Sequence, residues 1–313
     1  MTVPAPVLID TDLGIDDAIA LLMALAEAAI SIDCITTVAG NIGVEQVTRN
    51  VLQVLEFTQI KLPVYQGCAS PLFGEALKPS ELMGADGLGG ASFNLPVARN
   101  GPQPQHAAQM LVERTAKGVD TLIMLGPLTN LALALSLDPQ IIHHVNRLVI
   151  MGGASENHGN TTPATEFNFY ADPESAQVVL AAGFPNVWLL PWETSVNFPL
   201  SWAEMDALNA IPTRRANLFK QITSQMCTFL RDVLHIPGMP LPDPLTMAIV
   251  LDPQIVRKSV NVFGAVETTG KWGRGMLAID WQGITHNTPN LHLVTEIDRD
   301  RFFERLSLSL HSD

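Results

Sequence analysis

Short, nearly unbroken apolar runs recur along this chain, and each is followed by a segment with helical spacing. Val7-Leu8-Ile9 precedes a helix-like stretch after Asp17, Ile32 to Val38 precedes Val44 to Gln59, and Val64-Tyr65 follows. His106 to Lys117 is helix-like. Thr121 to Leu125 then leads into Leu128 to Leu137, and Arg147 to Met151 and Val187 to Leu190 flank a helix over Pro173 to Ala182. A half-exposed strand would alternate apolar and polar residues, whereas strands covered on both faces read as continuous apolar blocks. The pattern therefore predicts an α/β fold with a mainly parallel, doubly wound, Rossmann-like central sheet flanked by helices.

Helix punctuation agrees. Asp172-Pro173-Glu174 and Asp138-Pro139 each offer an N-cap aspartate followed by proline at the first helical position, and Gly183 closes the first of these helices. Trp202 to Leu234 reads as two helices divided near Pro212. The C-terminal part adds strands over Val260 to Glu267, Met276 to Trp281 and Leu291 to Ile297, and a last helix over Phe302 to Leu310. No linker interrupts the alternation, so one domain over residues 1–313 is expected.

Composition narrows the partners. A net charge of −13 speaks against a basic nucleic-acid footprint and against an anionic membrane surface. The most apolar stretch, Ala18 to Ile30, is too short to span a bilayer and reads as a buried helix. Cys34, Cys68 and Cys227 show neither disulfide nor metal-ligand spacing, and Met1 to Pro6 lacks a basic leader, so a cytoplasmic setting is expected.

Ligands of open parallel sheets bind beyond the carboxyl ends of the strands. The first such end carries Asp10-Thr11-Asp12-Leu13-Gly14-Ile15-Asp16-Asp17. Helix capping accounts for one aspartate here but not four, because close like charges repel unless a cation or proton intervenes. Residues two apart on a strand share a face, which would point Asp10 and Asp12 the same way. The donors are all oxygens, so a hard cation is expected, and a cage of several carboxylates and carbonyls favours Ca²⁺ over Mg²⁺.

From this loop onward the chain resembles the inosine–uridine-preferring nucleoside hydrolase family. The likeness continues in order through Thr36 to Asn41, Asp86-Gly87-Leu88-Gly89-Gly90, Gly126-Pro127-Leu128-Thr129-Asn130 and Met151-Gly152-Gly153. It ends with Asn160 to Asn168 and Asp243-Pro244. The resemblance implies a Ca²⁺ ion held by Asp12, Asp17, Asp243 and the backbone carbonyl of Thr129, with Asp12 also acting as general base toward the attacking water. It further implies that Asp16, Asn41 and Asn168 hold the ribose 2′- and 3′-hydroxyls. Asn160 and Glu166 would take the 5′-hydroxyl, with Met151 lining the sugar pocket and Asp10 in support. A nucleoside substrate and a homodimer or homotetramer are implied in the same way.

The chain departs from the pattern on the leaving-group side. Many family members have a histidine directly before the aspartate matching Asp243, credited with protonating the departing base. A purine-preferring branch has tryptophan there. Here the residue is Pro242, and Met83 stands where a histidine often precedes the glycine-rich loop. By sequence, His158 and His235 are the nearest replacement proton donors, and Trp192, just after a predicted strand, is a candidate to stack on the base. Two other readings remain at this point. One is a ribonucleoside-binding protein with weak or lost hydrolase activity. The other is a phosphohydrolase with an aspartyl nucleophile, in which Asp16-Asp17 and Glu166-Phe167-Asn168 would have no place.

Overall fold

Hydrogen bonding gathers nine strands into one twisted sheet, seven of them parallel. The computed structural model describes residues 6–77 and 83–312; the stretch 1–5, where a leader pattern was sought, lies outside them.

The chain opens with β1 (Pro6–Thr11), α1 (Ile15–Ala26), β2 (Ser31–Thr37), α2 (Val44–Thr58) and β3 (Val64–Gln66). It continues through α3 (Ala107–Thr115), β4 (Val119–Met124), α4 (Thr129–Leu137), β5 (Val145–Met151), α5 (Phe167–Ala171), α6 (Pro173–Ala181) and β6 (Val187–Leu190). Next come α7 (Trp192–Asn197), β7 (Leu200–Ser201), α8 (Trp202–Asn209), α9 (Arg214–Thr228), β8 (Gly238–Met239) and α10 (Pro242–Leu251). The last part holds β9 (Val256–Val266), β10 (Leu277–Asp280), β11 (Leu291–Ile297) and α11 (Arg299–His311).

The sheet order is β10-β9-β11-β6-β5-β4-β1-β2-β3, with β9 antiparallel to both of its neighbours. Strands β7 and β8 form a separate two-residue ladder. Alternate residues of the central strands feed two core layers. Val7, Ile9, Ile123 and Val149 pack into the layer of α1, α2, α9, α10 and α11. Leu8, Leu122, Leu148 and Ile150 pack into the layer of α3, α4 and α6. Both faces are dry, so these strands carry no polar alternation. Helix α1 is apolar nearly all round and buried accordingly, wedged against α10.

The expected elements form within a few residues of their predicted bounds, and the break near Pro212 separates α8 from α9. Helix α9 runs on into a single π-helical turn over Phe229–Val233, which periodicity did not indicate. No helix among the described residues is long and apolar enough to cross a membrane.

From β1 the chain winds outward to β2 and β3, then returns to place β4 on the other side of β1. The reversal leaves a crevice beyond the carboxyl ends of β1 and β4. One fully buried side chain braces this point from behind. Asn130, on α4, donates to Asp10 Oδ2 at 2.7 Å and to the Thr37 carbonyl at 2.9 Å, and accepts from the Cys68 backbone N–H at 2.9 Å. It thereby ties β1, β2 and the residues after β3 to one helix. Asn130→Ala should lower the unfolding free energy by about 3 kcal/mol, because it leaves the Cys68 N–H without a partner and removes one of the two side-chain donors to the buried Asp10 carboxylate and one of the two donors to the Thr37 carbonyl. Urea unfolding would show an earlier midpoint at unchanged slope, and a wild-type midpoint would contradict this account.

Candidate active site

The crevice is a cavity of about 390 Å³. Its polar side is lined by Asp12, Asp16, Asn41, Asn160, Thr161, Glu166, Asn168 and Asp243. All but Asn160 and Thr161, which lie in the loop between β5 and α5, come from just past a strand or from the start of a helix. Asp12 follows β1, Asn41 follows β2, and Asp16 lies in the first turn of α1. Glu166 caps α5, Asn168 lies within α5, and Asp243 is in the first turn of α10 behind Pro242.

The N-termini of α1 and α10 thus meet at one point, and their positive dipole ends favour carboxylates there. Asp16, Asp17 and Asp243 each bring one carboxylate oxygen within 4.8 Å of the others. Asp12 adjoins them, near enough for the charges of Asp17 and Asp16 to act on it. Asp17 also accepts from Thr11 Oγ1 at 2.5 Å and from the Gly14 backbone N–H at 2.9 Å. Asn41 spans the group: its backbone N–H donates to Asp12 Oδ2 at 2.7 Å and its side-chain amide to Asp17 Oδ2 at 3.2 Å.

Two glycines make room for Asp12. A Cβ on Gly40 would stand 2.1 Å from Asp12 Oδ2, and one on Gly126 would stand 2.7 Å from Asp12 Oδ1. Both collisions are prohibitive, which gives these glycines of the ordered motifs a steric reason.

Burial and mutual repulsion act together on the cluster. Asp16 is pushed up to about 7 by burial and by the charge of Asp17. Burial, with the neighbouring aspartates, raises Asp12 and Asp243 well above the ordinary carboxylate range, and burial raises Asp17 as well. No Lys, Arg or His lines the cavity among the described residues, so nothing there from the chain offsets these charges. An all-oxygen set of this kind fits a hard divalent cation.

The expected residues are not all where the sequence suggested. Asp10 faces away from the cavity, toward Asn130 and Thr36 Oγ1, the latter at 2.5 Å. Strand β1 ends at Thr11, so the alternation that would have aligned Asp10 with Asp12 stops between them. Burial pushes the Asp10 carboxyl up to about 7. Asp16 stands within ligand distance of Asp17 and Asp243 rather than only on the sugar side.

Thr129 is not at the cavity. It lines a separate pocket of about 190 Å³, and its hydroxyl donates to Asp172 at 2.7 Å. The carbonyl available from this segment is that of Leu125, just past β4; Leu125 lines the cavity, and its oxygen lies 2.7 Å from Asn168 Nδ2. The sequence signal for it was its place at the end of a predicted strand, directly before Gly126.

The remaining expected sugar-side residues, Asn41, Met151, Asn160, Glu166 and Asn168, all line the cavity. Glu166 is held by backbone N–H groups of Gly153, Asn168 and Phe169, and burial pushes it up to about 7. The loop leading to Asn160 is fixed by Glu193, whose carboxylate accepts from the backbone N–H groups of Ser155, Glu156 and His158. Sequence reasoning did not single out Glu193, because an acidic residue in the first turn of a helix reads as an ordinary dipole partner.

Neither proposed histidine reaches the cavity. His158 is exposed, with its backbone N–H held by Glu193, and does not line the cavity. His235 is exposed after the π-helical turn, at a left-handed φ of 53°, with its ring nitrogen 3.2 Å from the Arg231 carbonyl. Trp192 does line the cavity. It joins Ile15, Met83, Phe167, Pro240 and Pro242, with Met226 from the last turn of α9 and Phe229, Leu230, Leu234 and Met239 from the segment between α9 and α10. The cavity is therefore lined both by acidic and amide side chains and by apolar and aromatic ones.

Known proteins share this architecture. The sequence profile described as inosine-uridine preferring nucleoside hydrolase matches residues 7–304. An uncharacterized protein of Schizosaccharomyces pombe is 34% identical over 305 residues, covering 96% of this chain and 97% of that protein. The pyrimidine-specific ribonucleoside hydrolase RihA of Salmonella typhimurium is 34% identical over 306 residues, with 96% and 97% covered. Among solved structures, a plant nucleoside hydrolase superposes with a TM-score of 0.91 at 28% identity, over 99% of this chain and 100% of that one. An inosine-guanosine nucleoside hydrolase gives 0.92 at 30% identity, over 98% and 99%. The chain belongs to the inosine-uridine preferring nucleoside hydrolase family, enzymes that hydrolyse the N-glycosyl bond of ribonucleosides.

Proposed function

We propose that this chain hydrolyses a ribonucleoside or related N-riboside to ribose and free base in a Ca²⁺-dependent reaction, with Asp12 as general base. The observation that carries the reading is the meeting of Asp16, Asp17 and Asp243, from the first turns of α1 and α10, beside Asp12 just after β1, with Asp12, Asp16 and Asp243 lining a cavity that also has apolar and aromatic residues. Asp12, Asp17 and Asp243 are the carboxylates assigned to the ion, with Asp16 close enough to share it and the Leu125 carbonyl as the neutral oxygen. When bound, the cation supplies Lewis acidity toward the attacking water and cancels part of the local negative charge.

Scission of the C1′–N bond develops positive charge on the ribose ring. Carboxylates fixed around the ring stabilise that charge without reorganising during the reaction. Asp12, held by the Asn41 backbone N–H, accepts the proton of the water that attacks C1′. Asn168 spends its amide N–H groups on the Leu125 and Met151 carbonyls, which leaves Oδ1 for a ribose hydroxyl. Asn41 and Asp16 serve the same edge of the sugar, and Asn160 with Glu166 serves the 5′-hydroxyl. Several such bonds hold C1′ in line with the water, a positioning effect that lowers the barrier before any bond is made.

Asp12→Asn should lower kcat for release of reducing sugar by about a hundred- to ten-thousand-fold, the range for loss of a general base. A calcium chelator should abolish turnover of the wild type, and Ca²⁺ should restore it better than Mg²⁺. Full activity of the chelated protein would refute the metal dependence. Retained ribose binding with no sugar release by metal-loaded wild type would instead indicate a binding protein.

A pH effect follows from the cluster. Asp16 titrates at about 7 in the folded protein against an ordinary value of 3.8, so the cation-free fold binds more protons than the unfolded chain between those values. Its stability must then fall as pH rises across that window. The melting temperature of chelated protein should drop from about pH 4 to about pH 7, and the gain on adding Ca²⁺ should grow over the same interval. A calcium-induced shift that shrinks with rising pH would contradict the proposed site.

A further inference from the structure

The apolar wall bears on which N-riboside suits the site, an inference that rests on the hydrolase reading above. A neutral nucleoside must lose its base either as an anion or with a proton supplied as the bond breaks. Next to Asp243 on the apolar side stand Pro242 and Pro240, with Trp192, Phe229, Met226 and Met239 completing the enclosure. Among the described lining residues, no His, Lys, Arg, Cys or Tyr is present, and the acids are Asp12, Asp16, Glu166 and Asp243, which the reading above assigns to the ion and the ribose. His158 and His235, the candidate donors by sequence, are exposed outside the cavity. An anionic leaving group would develop in apolar surroundings, close to the buried carboxylates, where it is poorly stabilised.

The opposite charge fits. Aromatic faces and thioethers attract flat cations, and the carboxylates on the sugar side add to that attraction. We propose that the preferred substrate class is an N-ribosylpyridinium, a riboside whose leaving nitrogen already carries the positive charge, because the cavity pairs an acidic sugar side with an aromatic, methionine-rich base side that offers no proton donor among the described residues.

The reaction balances without an acid. The C1′–N electron pair passes to the ring nitrogen and cancels its charge, and the pyridine leaves neutral. The water oxygen bonds to C1′, one of its protons passes to Asp12 and then to solvent, and the products are ribose, a neutral pyridine and one proton.

The test compares three substrates on the calcium-loaded protein: an N-(β-ribofuranosyl)pyridinium, uridine, and p-nitrophenyl β-riboside, whose phenolate leaves without protonation. The ribosylpyridinium should exceed uridine in kcat/KM by about a hundredfold or more, the usual contribution of the missing acid. Pro242→His, which sets a titratable ring on the base side, should shrink that ratio about tenfold or more by raising uridine turnover, with a new dependence on a group titrating near the ordinary histidine value. Cleavage of the p-nitrophenyl riboside with the ribosylpyridinium no better than uridine would overturn this inference and leave the hydrolase reading standing. Failure to cleave any of the three would overturn both.

Discussion

Four carboxylates held together, three of them buried and Asp16 half-buried, constitute the constraint on which the rest of this structure depends. Asp12, Asp16, Asp17 and Asp243 repel one another, and burial amplifies the repulsion. The fold opposes this with two devices described above, two helix N-termini aimed at one point and amide and hydroxyl donors from Asn41 and Thr11, and the proposed counter-ion would be a third. Each depends on tertiary structure. Helix α10 begins more than two hundred residues after α1, and only the packing of the two beneath the sheet brings Asp243 to the first loop.

The switch point in strand order explains why the site lies where it does. Strands β1 and β4 diverge to different neighbours, so their carboxyl ends are not bridged by a single connection, and Asp12 and Leu125 face an open crevice. Asn130 and Asp10 secure the same junction from the opposite layer. The polar residues of the motif blocks accordingly divide into two sets, one facing the cavity and the other bracing the strand ends behind it.

Much of this was legible in the sequence. Continuous apolar blocks announced a two-sided parallel sheet, and four aspartates in eight positions announced a site, because both signals are local and survive without knowledge of the fold. The sugar-side set, from Asn41 to Asn168, was legible through ordered motifs. What escaped has physical reasons. A backbone carbonyl carries no side-chain signature, so Leu125 was passed over in favour of Thr129. The apolar wall from Met226 to Pro240 reads as the buried face of an amphipathic helix, since methionine and phenylalanine serve a core and a cavity equally well. His158 and His235 were chosen by nearness in sequence, which says nothing about which way a loop turns. Asp10 and Asp12 show how a strand's alternation fails once the strand has ended at Thr11.

Trp192 and Glu193 are consecutive in the first turn of α7. The indole lines the wall where the base would lie, while the neighbouring carboxylate grips the loop leading to Asn160 on the sugar side. On the proposed reading, selectivity for the aglycone and grip on the ribose would thus be mounted on a single turn. Remodelling this wall for a bulkier or smaller base would displace the sugar clamp with it, so an altered preference at this turn should come with altered affinity for ribose itself, and the two traits would be inherited as one.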